Sequence, residues 1–445
     1  MIANGRVKYL VIGNSAGGIG AAEAIRSVDK HGSLAIVSEE PYPAYSRPLI
    51  SEYLAKNCSL ERMSYRPADF YEKQNIQTML GKSAVKLDVS NHTIELKDGR
   101  KIHWRKLLLA TGALPIIPDI AGTGLDGVFT FTTLDDAKKI VQYLDKASKA
   151  VVIGGGLIGM SVAEALVERG KAVTIVEMKE RTLNTILDKE ASDIVEGTIR
   201  QAGVNIITGH YVDKIAGNQT GTAVSHVTLN DGRRLPCDLV VVAIGVKPRT
   251  ELAVNTPIAI NRGIVVDRYM STTCPDIYAC GDVAESYDFI YGDNRLTPIW
   301  PNAYMQGRIA GLNMTGIPAE YPGGTAMNSL KYFGLAIHSA GIVTTPDSGY
   351  QVLSQRNGHT YKKIIVKGGL IVGMVFAGDI EKSGMVFGLM RDRVNVDSFK
   401  EDITTDGFGL ASLPGEVWRS RLEMPAAMVS AKPNIEQTEE ILVGE

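Results

Sequence analysis

The apolar positions of the chain form two long series of the same shape. Val7 to Ile12 is apolar but for Lys8 and runs into Gly13-Asn14-Ser15-Ala16-Gly17-Gly18. A helical segment follows, from about Gly17 to Asp29, with Ile19, Ala22 and Ile25 on one face and Gly32 placed as its terminating glycine. The order returns at Ala150 to Ile153, then Gly154-Gly155-Gly156-Leu157-Ile158-Gly159. Its helix, Leu157 to Arg169, turns Leu157, Val162, Ala165 and Leu166 towards a sheet and stops at Gly170. Uninterrupted apolar runs are what parallel strands show when both faces are covered. Each series continues with a second strand ending in an acid, Glu39 or Glu177, and a polar hairpin with an Asp-Gly-Arg turn, 98–100 or 231–233. Each closes with an apolar strand and a small-residue turn: Ala110-Thr111-Gly112 in the first, Ala243-Ile244-Gly245 in the second.

The pattern then changes. A strand at 264–267, the segment Asp276 to Val283 and a helix near Asn302 to Asn313 come first. Beyond Pro322 three short strands are expected, about 350–355, 360–366 and 370–376, turning at Asn357-Gly358 and Gly368-Gly369. A helix near Ile380 to Arg391 follows, and 421–445 reads as a tail or docking arm. The fold class is α/β: two Rossmann-like dinucleotide-binding domains with a C-terminal α+β domain.

In such units the first glycine of the turn permits the bend, the second admits a pyrophosphate, and the third lets helix pack on strand. Gly154, Gly156 and Gly159 fit that scheme; in the first copy the set is Gly13, Ser15 and Gly18, with a hydroxyl in the middle place. The helix starts, at Ala16 and at Leu157-Ile158, offer free N–H groups and a positive dipole end to phosphate. Glu39 and Glu177 stand where a carboxylate takes ribose hydroxyls, with Glu40 a rival to Glu39. Glu177 also repels a 2′-phosphate, favouring NAD over NADP, while Lys179 and Arg181 nearby soften that. Two such units imply two dinucleotides, and so electron transfer between cofactors.

Bulk properties exclude several classes. Of 445 residues, 44% are hydrophobic and 22% charged, with net charge -2, which gives no reason to expect nucleic acid or a membrane surface as partner. No apolar run is long enough to cross a bilayer, and the chain enters its first strand without a signal-peptide pattern, so a cytoplasmic location is expected. Cys58, Cys237, Cys274 and Cys280 include no CxxC pair; Cys274 and Cys280 as a redox pair is a lesser reading than isolated thiols. No spacing suits a metal.

The two loops, Pro43 to Ser51, Ala110-Thr111-Gly112, Cys280 to Ala284, Trp300 to Ala303 and Gln306 to Arg308 together resemble the FAD-dependent pyridine nucleotide oxidoreductases of the glutathione-reductase-like superfamily. Within it the chain is most similar to the group of NADH oxidases, rubredoxin reductases and the flavin part of nitrite reductase. The resemblance implies an FAD-binding domain in two parts, 1–115 and 249–322, an NAD(H)-binding domain over 116–248, and an interface domain over 323–420. It implies FAD at Gly13, Ser15, Ala16, Gly18, Glu39, Ala110, Thr111, Gly112 and Asp282, with Arg47, Pro48 and Trp300 along the flavin. It implies NAD(H) at Gly154, Gly156, Leu157, Ile158, Gly159, Glu177 and Gly245.

Departures narrow the chemistry. The chain lacks the CxxxxC of disulfide reductases and the single cysteine that some relatives carry after the first acid, where Pro43-Ala44-Tyr45-Ser46 stands instead. A glutamate common beyond the second loop is Ser161; Glu164, one turn on, is read as packed or solvated. Without a thiol the acceptor is external. The chain resembles flavin subunits that accompany carbon monoxide dehydrogenase or 2-oxoacid:acceptor complexes such as phenylglyoxylate dehydrogenase. The expectation is therefore a flavoprotein subunit exchanging electrons between NAD(H) and an iron–sulfur partner. A peroxide-forming NADH oxidase and a cofactor-bound redox sensor are the alternatives, and whether two copies pair as a homodimer is left open.

Overall fold

The computed structural model describes residues 5–422; the arm expected over 421–445 lies outside these but for the end of a short helix, Gly415–Leu422. The first apolar series folds as β1 (Arg6–Ile12), α1 (Ala16–Val28), β2 (Leu34–Ser38), β3 (Ile76–Leu80) and β4 (Lys101–Leu109). All pair in parallel in the order β3-β2-β1-β4. The second series gives β5 (Val128–Thr130), β6 (Lys149–Ile153), α2 (Leu157–Glu168), β7 (Ala172–Glu177), β8 (Asn205–Thr208) and β9 (Leu239–Val242). These five are again parallel, in the order β8-β7-β6-β9-β5. In each sheet the chain winds outward from the glycine-turn strand, then returns to its other side. The ends of β1 and β4, and of β6 and β9, are therefore switch points, where such sheets open a crevice.

The chain comes back to the first sheet after building the second. β10 (Ile277–Ala279) pairs in parallel with β4, and α3 (Trp300–Thr315) lies against α1. Glycines make that helix contact: a Cβ at Gly307 would strike the Gly17 carbonyl, one at Gly311 the Ala21 carbonyl, and one at Gly20 the Tyr304 carbonyl. Ile19, Ala22 and Ile25 of α1 are fully buried, as their spacing predicts. Gly32, however, does not end the helix. Its φ is not positive, and the Asp29 carboxylate instead accepts the His31 and Gly32 N–H groups at 3.1 and 2.7 Å. Gly170 does terminate α2, at φ +71°.

The C-terminal sheet has five strands where three are expected: β11 (Met327–Tyr332), β12 (Leu335–Gly341), β13 (Gln351–Asn357), β14 (Thr360–Lys367) and β15 (Leu370–Ala377). They run β11-β12-β15-β14-β13. The first two escape sequence reading because their turn, Phe333-Gly334, carries a bulky residue where hairpins favour Asn or Asp. Asn357 itself pairs with Thr360, so that turn is Gly358-His359. The helix expected near Ile380, α4 (Ser383–Arg391), starts later than that. This sheet is clasped to the middle lobe: Asp188 accepts from buried Lys363 at 2.7 Å and from Tyr361 at 2.8 Å.

Two glycines should respond oppositely to alanine. Gly307→Ala is expected to cost about 3 kcal/mol in chemical denaturation, because backbone must move to admit the methyl group. Gly197→Ala, in a helix with open space around it, is expected to stabilise by about 0.5–1 kcal/mol.

Candidate functional site

Both switch points open into one cleft of about 1570 Å³. A single small-molecule site usually takes roughly 300–1,000 Å³, so the space suits two extended ligands. Of the residues assigned from the sequence to FAD, the flavin or NAD(H), only Gly18 and Gly159 lie outside its lining. Those two sit beneath it: a Cβ at Gly18 would strike the Gly13 carbonyl, and one at Gly159 the Gly154 carbonyl. Gly13 (φ +125°) and Gly154 (φ +108°) abut Ala110 and Ala243 from the neighbouring strands. Gly156 differs. A Cβ there would meet nothing within 4 Å, so its bare backbone faces open cleft. In the first loop that place holds Ser15, which precedes α1 without its side chain capping the helix.

The charges are arranged in distinct ways. Arg47 donates to the Thr132 carbonyl at 2.8 Å and to the Glu40 carboxylate, and lies over the Tyr45 ring at 5.5 Å. The Tyr45 hydroxyl donates to Glu40 at 2.6 Å and accepts the Leu134 N–H at 3.0 Å. Glu40 is therefore not a solvated loop charge; it lines the cleft and holds Arg47. Burial works against the Arg47 charge, but Tyr45 and Glu40 beside it raise its pKa overall. Asp282, in the short turn Gly281–Val283, has its pKa raised by burial, partly offset by Arg47. Among the described residues none donates a hydrogen bond to its carboxylate. An unpaired carboxylate in a cleft wall and an uncovered loop backbone are what a polyhydroxylated dinucleotide requires, so the residues present fit FAD and NAD(H).

Glu39 lies one residue past β2 and pairs with Arg249, whose charge lowers its pKa. Arg249 went unnoticed in the sequence. It follows Val246–Pro248, which pairs antiparallel with Ala113–Pro115; these segments leave the small-residue turns of the two copies, and that equivalence is the signal that would have found it. Thr111 and Gly112 hold it by its backbone: the Thr111 hydroxyl donates to the Arg249 carbonyl at 2.7 Å, and the Arg249 N–H to the Gly112 carbonyl at 2.9 Å. Glu177 is buried, accepting the Gly155 and Lys179 N–H groups at 2.7 and 2.8 Å. That fixes a negative charge at the strand end. Lys179 lines the cleft beside it and Arg181 does not.

Trp300 opens α3 edge-on to Tyr65, with ring centroids 5.0 Å apart. Cys274 and Cys280 are buried free thiols. Burial, with Asp282 nearby, pushes Cys280 up to about 12, which keeps its thiol protonated at neutral pH although it reaches the cleft. Leu157, expected against the sheet, is half-buried and faces the cleft. Glu164 is neither solvated nor part of the site: it accepts the Phe333 N–H at 2.6 Å. Tyr332, also missed from sequence, lines the cleft and donates its hydroxyl to the Leu157 carbonyl at 3.2 Å. Among the described residues no cluster could hold a metal and no helix is long and apolar enough to cross a membrane.

Comparison with known proteins agrees with this geometry. Residues 7–307 match the pyridine nucleotide-disulphide oxidoreductase family, and 327–394 match the rubredoxin NAD+ reductase C-terminal domain. The chain is 32% identical over 418 residues to NADH-dependent phenylglyoxylate dehydrogenase subunit epsilon of Aromatoleum evansii, covering 93% of this chain and 98% of that one. It is 30% identical to the NAD(P)H nitrite reductase of Bacillus subtilis (strain 168) over 88% of its own length, but spans only about half, 48%, of that protein. Among solved structures, putidaredoxin reductase in covalent complex with putidaredoxin superposes with a TM-score of 0.83 at 25% identity, over 93% of this chain and 98% of that one. The chain belongs to the pyridine nucleotide-disulphide oxidoreductases, and its cofactors are FAD and NAD(H).

Proposed function

We propose that the chain passes electrons between NAD(H) and an iron–sulfur protein, as the flavoprotein subunit of a larger redox complex. FAD is held by the first loop and NAD(H) by the second. One observation carries the reading: a single cleft joins both switch points, and the one cysteine in its wall has its pKa raised to about 12. Electrons that arrive there have no local thiol to go to. The likeness to a subunit of phenylglyoxylate dehydrogenase and to a reductase seen bound to putidaredoxin supports an external protein acceptor.

When bound, NAD(H) supplies or takes a hydride and FAD converts that pair into single electrons. The chain's own residues bind and place. The N-termini of α1 and α2 turn free N–H groups towards phosphate. Asp282 accepts from hydroxyls, and Arg47, fixed by Glu40 and Thr132, adds a stationary positive charge. Gly13, Ser15, Ala16, Glu39 and Ala110-Thr111-Gly112 complete the FAD set, with Pro48 and Trp300 along the flavin. Gly154, Gly156, Leu157, Ile158, Glu177 and Gly245 form the NAD(H) set, Gly159 packing beneath it. Apolar wall residues such as Pro48, Leu157 and Ile158 exclude water, so the work of catalysis is proximity.

The test is reoxidation. After anaerobic reduction by NADH, the flavin is expected to react slowly with air and quickly with an oxidised iron–sulfur protein; fast reaction with air alone would overturn the reading in favour of an NADH oxidase. Two substitutions follow from the charges. Because the folded pKa of Asp282 is raised above its unfolded value, stability falls as pH climbs from the unfolded value to the raised one and stays lost at neutrality. Asp282→Asn is expected to raise the thermal midpoint of FAD-free protein at pH 7 while weakening FAD retention roughly tenfold or more, measured by flavin release. Glu177→Gln is expected to lower the preference for NADH over NADPH in kcat/KM by roughly tenfold, since a like-charge penalty is removed.

A further inference from the structure

We propose that Tyr332, a residue of the C-terminal sheet, positions the helix that follows the second glycine loop, so that this sheet sets where the nicotinamide end of NAD(H) lies. The proposal rests on the second loop holding NAD(H). Leu330 and Tyr332 are the C-terminal sheet's part of the cleft wall. Tyr332 ends β11 at 2% exposure, its ring among the side chains that bury α2. Its hydroxyl donates to the carbonyl of Leu157, the first residue of α2, at 3.2 Å. That carbonyl already accepts the Ser161 hydroxyl at 3.1 Å. The tyrosine is thus not needed to satisfy it; what the bond adds is a tie between two lobes at the point where helix N–H groups meet the cofactor.

The adjoining residues aim this tie. Phe333 lies at φ +48° and Gly334 at +85°, a two-residue turn with both central positions left-handed. A phenylalanine rarely adopts that conformation, and such backbone persists where its surroundings over-determine it. Here the turn delivers the Phe333 N–H to Glu164 of α2 at 2.6 Å. Helix α2 is therefore held to β11 at its first turn by Tyr332 and again two turns along by Phe333. Burial pushes the Tyr332 hydroxyl up to about 12, so it remains a donor. At the far side the clasp of Asp188 with Lys363 and Tyr361 prevents the sheet from pivoting away.

The test uses the FAD-loaded protein carrying Tyr332→Phe, which removes one oxygen and keeps the ring. Anaerobic stopped-flow reduction over a range of NADH concentrations separates the limiting rate from the Kd. The limiting rate is expected to fall roughly five- to tenfold, as small misplacements of reacting groups do, with Kd for NADH nearly unchanged. Hydrogen exchange at the amides of residues 157–161 is expected to quicken. Glu164→Ala, which cuts only the neighbouring tie, is expected to move both readouts the same way by less, and stands in should the first variant lose FAD. A normal limiting rate and normal exchange in either folded variant would overturn the proposal. Gly156→Val separates the underlying reading: it fills open cleft at the second loop, and an unchanged Kd for NADH there would refute NAD(H) at that loop rather than the role of Tyr332.

Discussion

The cleft exists because backbone meets backbone where no side chain fits. Beneath each glycine turn the helix sits on the carbonyl of the turn's own first glycine, Gly18 over Gly13 and Gly159 over Gly154. Beside it the turn abuts the residue just past the neighbouring strand, Ala110 after β4 or Ala243 after β9. That approach aims the helix N-terminus into the switch-point crevice rather than past it. The same device recurs between α1 and α3, where Gly17, Gly20, Gly307 and Gly311 let two helices touch along their main chains. Middle glycines play a different part: Gly156 packs on nothing, and its value lies in the space it leaves.

On this frame the charges divide into those satisfied by protein and those left for a ligand. Glu177 and Arg47 are held by at least two partners each and hold fixed positions before any cofactor arrives. Asp282 is the opposite case, a carboxylate raised by burial without a donor. Preorganised charge contributes orientation, and the unmatched one contributes affinity at some expense to the empty fold. Electron flow through such a site needs little further chemistry from side chains, consistent with a wall in which serine and leucine stand near α2.

Much of this was legible in the residues, and the illegible parts share a cause. Continuous apolar strands, glycine turns and strand-end acids are local patterns, so the central strands of both sheets and the glycine-turn and strand-end parts of the cleft wall could be read directly. Arg249 and Tyr332 could not, because each reaches the cleft from a segment whose own sequence is unremarkable and whose position depends on pairing with a distant one: Val246–Pro248 on Ala113–Pro115, and β11 on β12. Glu40 reads as a loop charge because its partners, Tyr45 and Arg47, come to it only when the chain folds back over it. Gly32 reads as a helix stop from sequence, but the Asp29 carboxylate closes the helix instead, through its hydrogen bonds to the His31 and Gly32 N–H groups.

The pairing of β10 with β4 has a consequence for how the polypeptide matures. Residues 277–279 must join 107–109, and the middle sheet lies between them in the chain. As the polypeptide emerges from the ribosome, the middle lobe, contiguous from β5 to β9, can condense while the amino-terminal one still lacks an edge strand and the helix that covers α1. The older half thus waits for the younger, exposing the unpaired 107–109 end of β4 and a glycine-lined helical face until translation has passed Thr315. Loop-closure entropy makes such late, long-range joining slow, and the interval is when the nascent chain is most prone to stick to others.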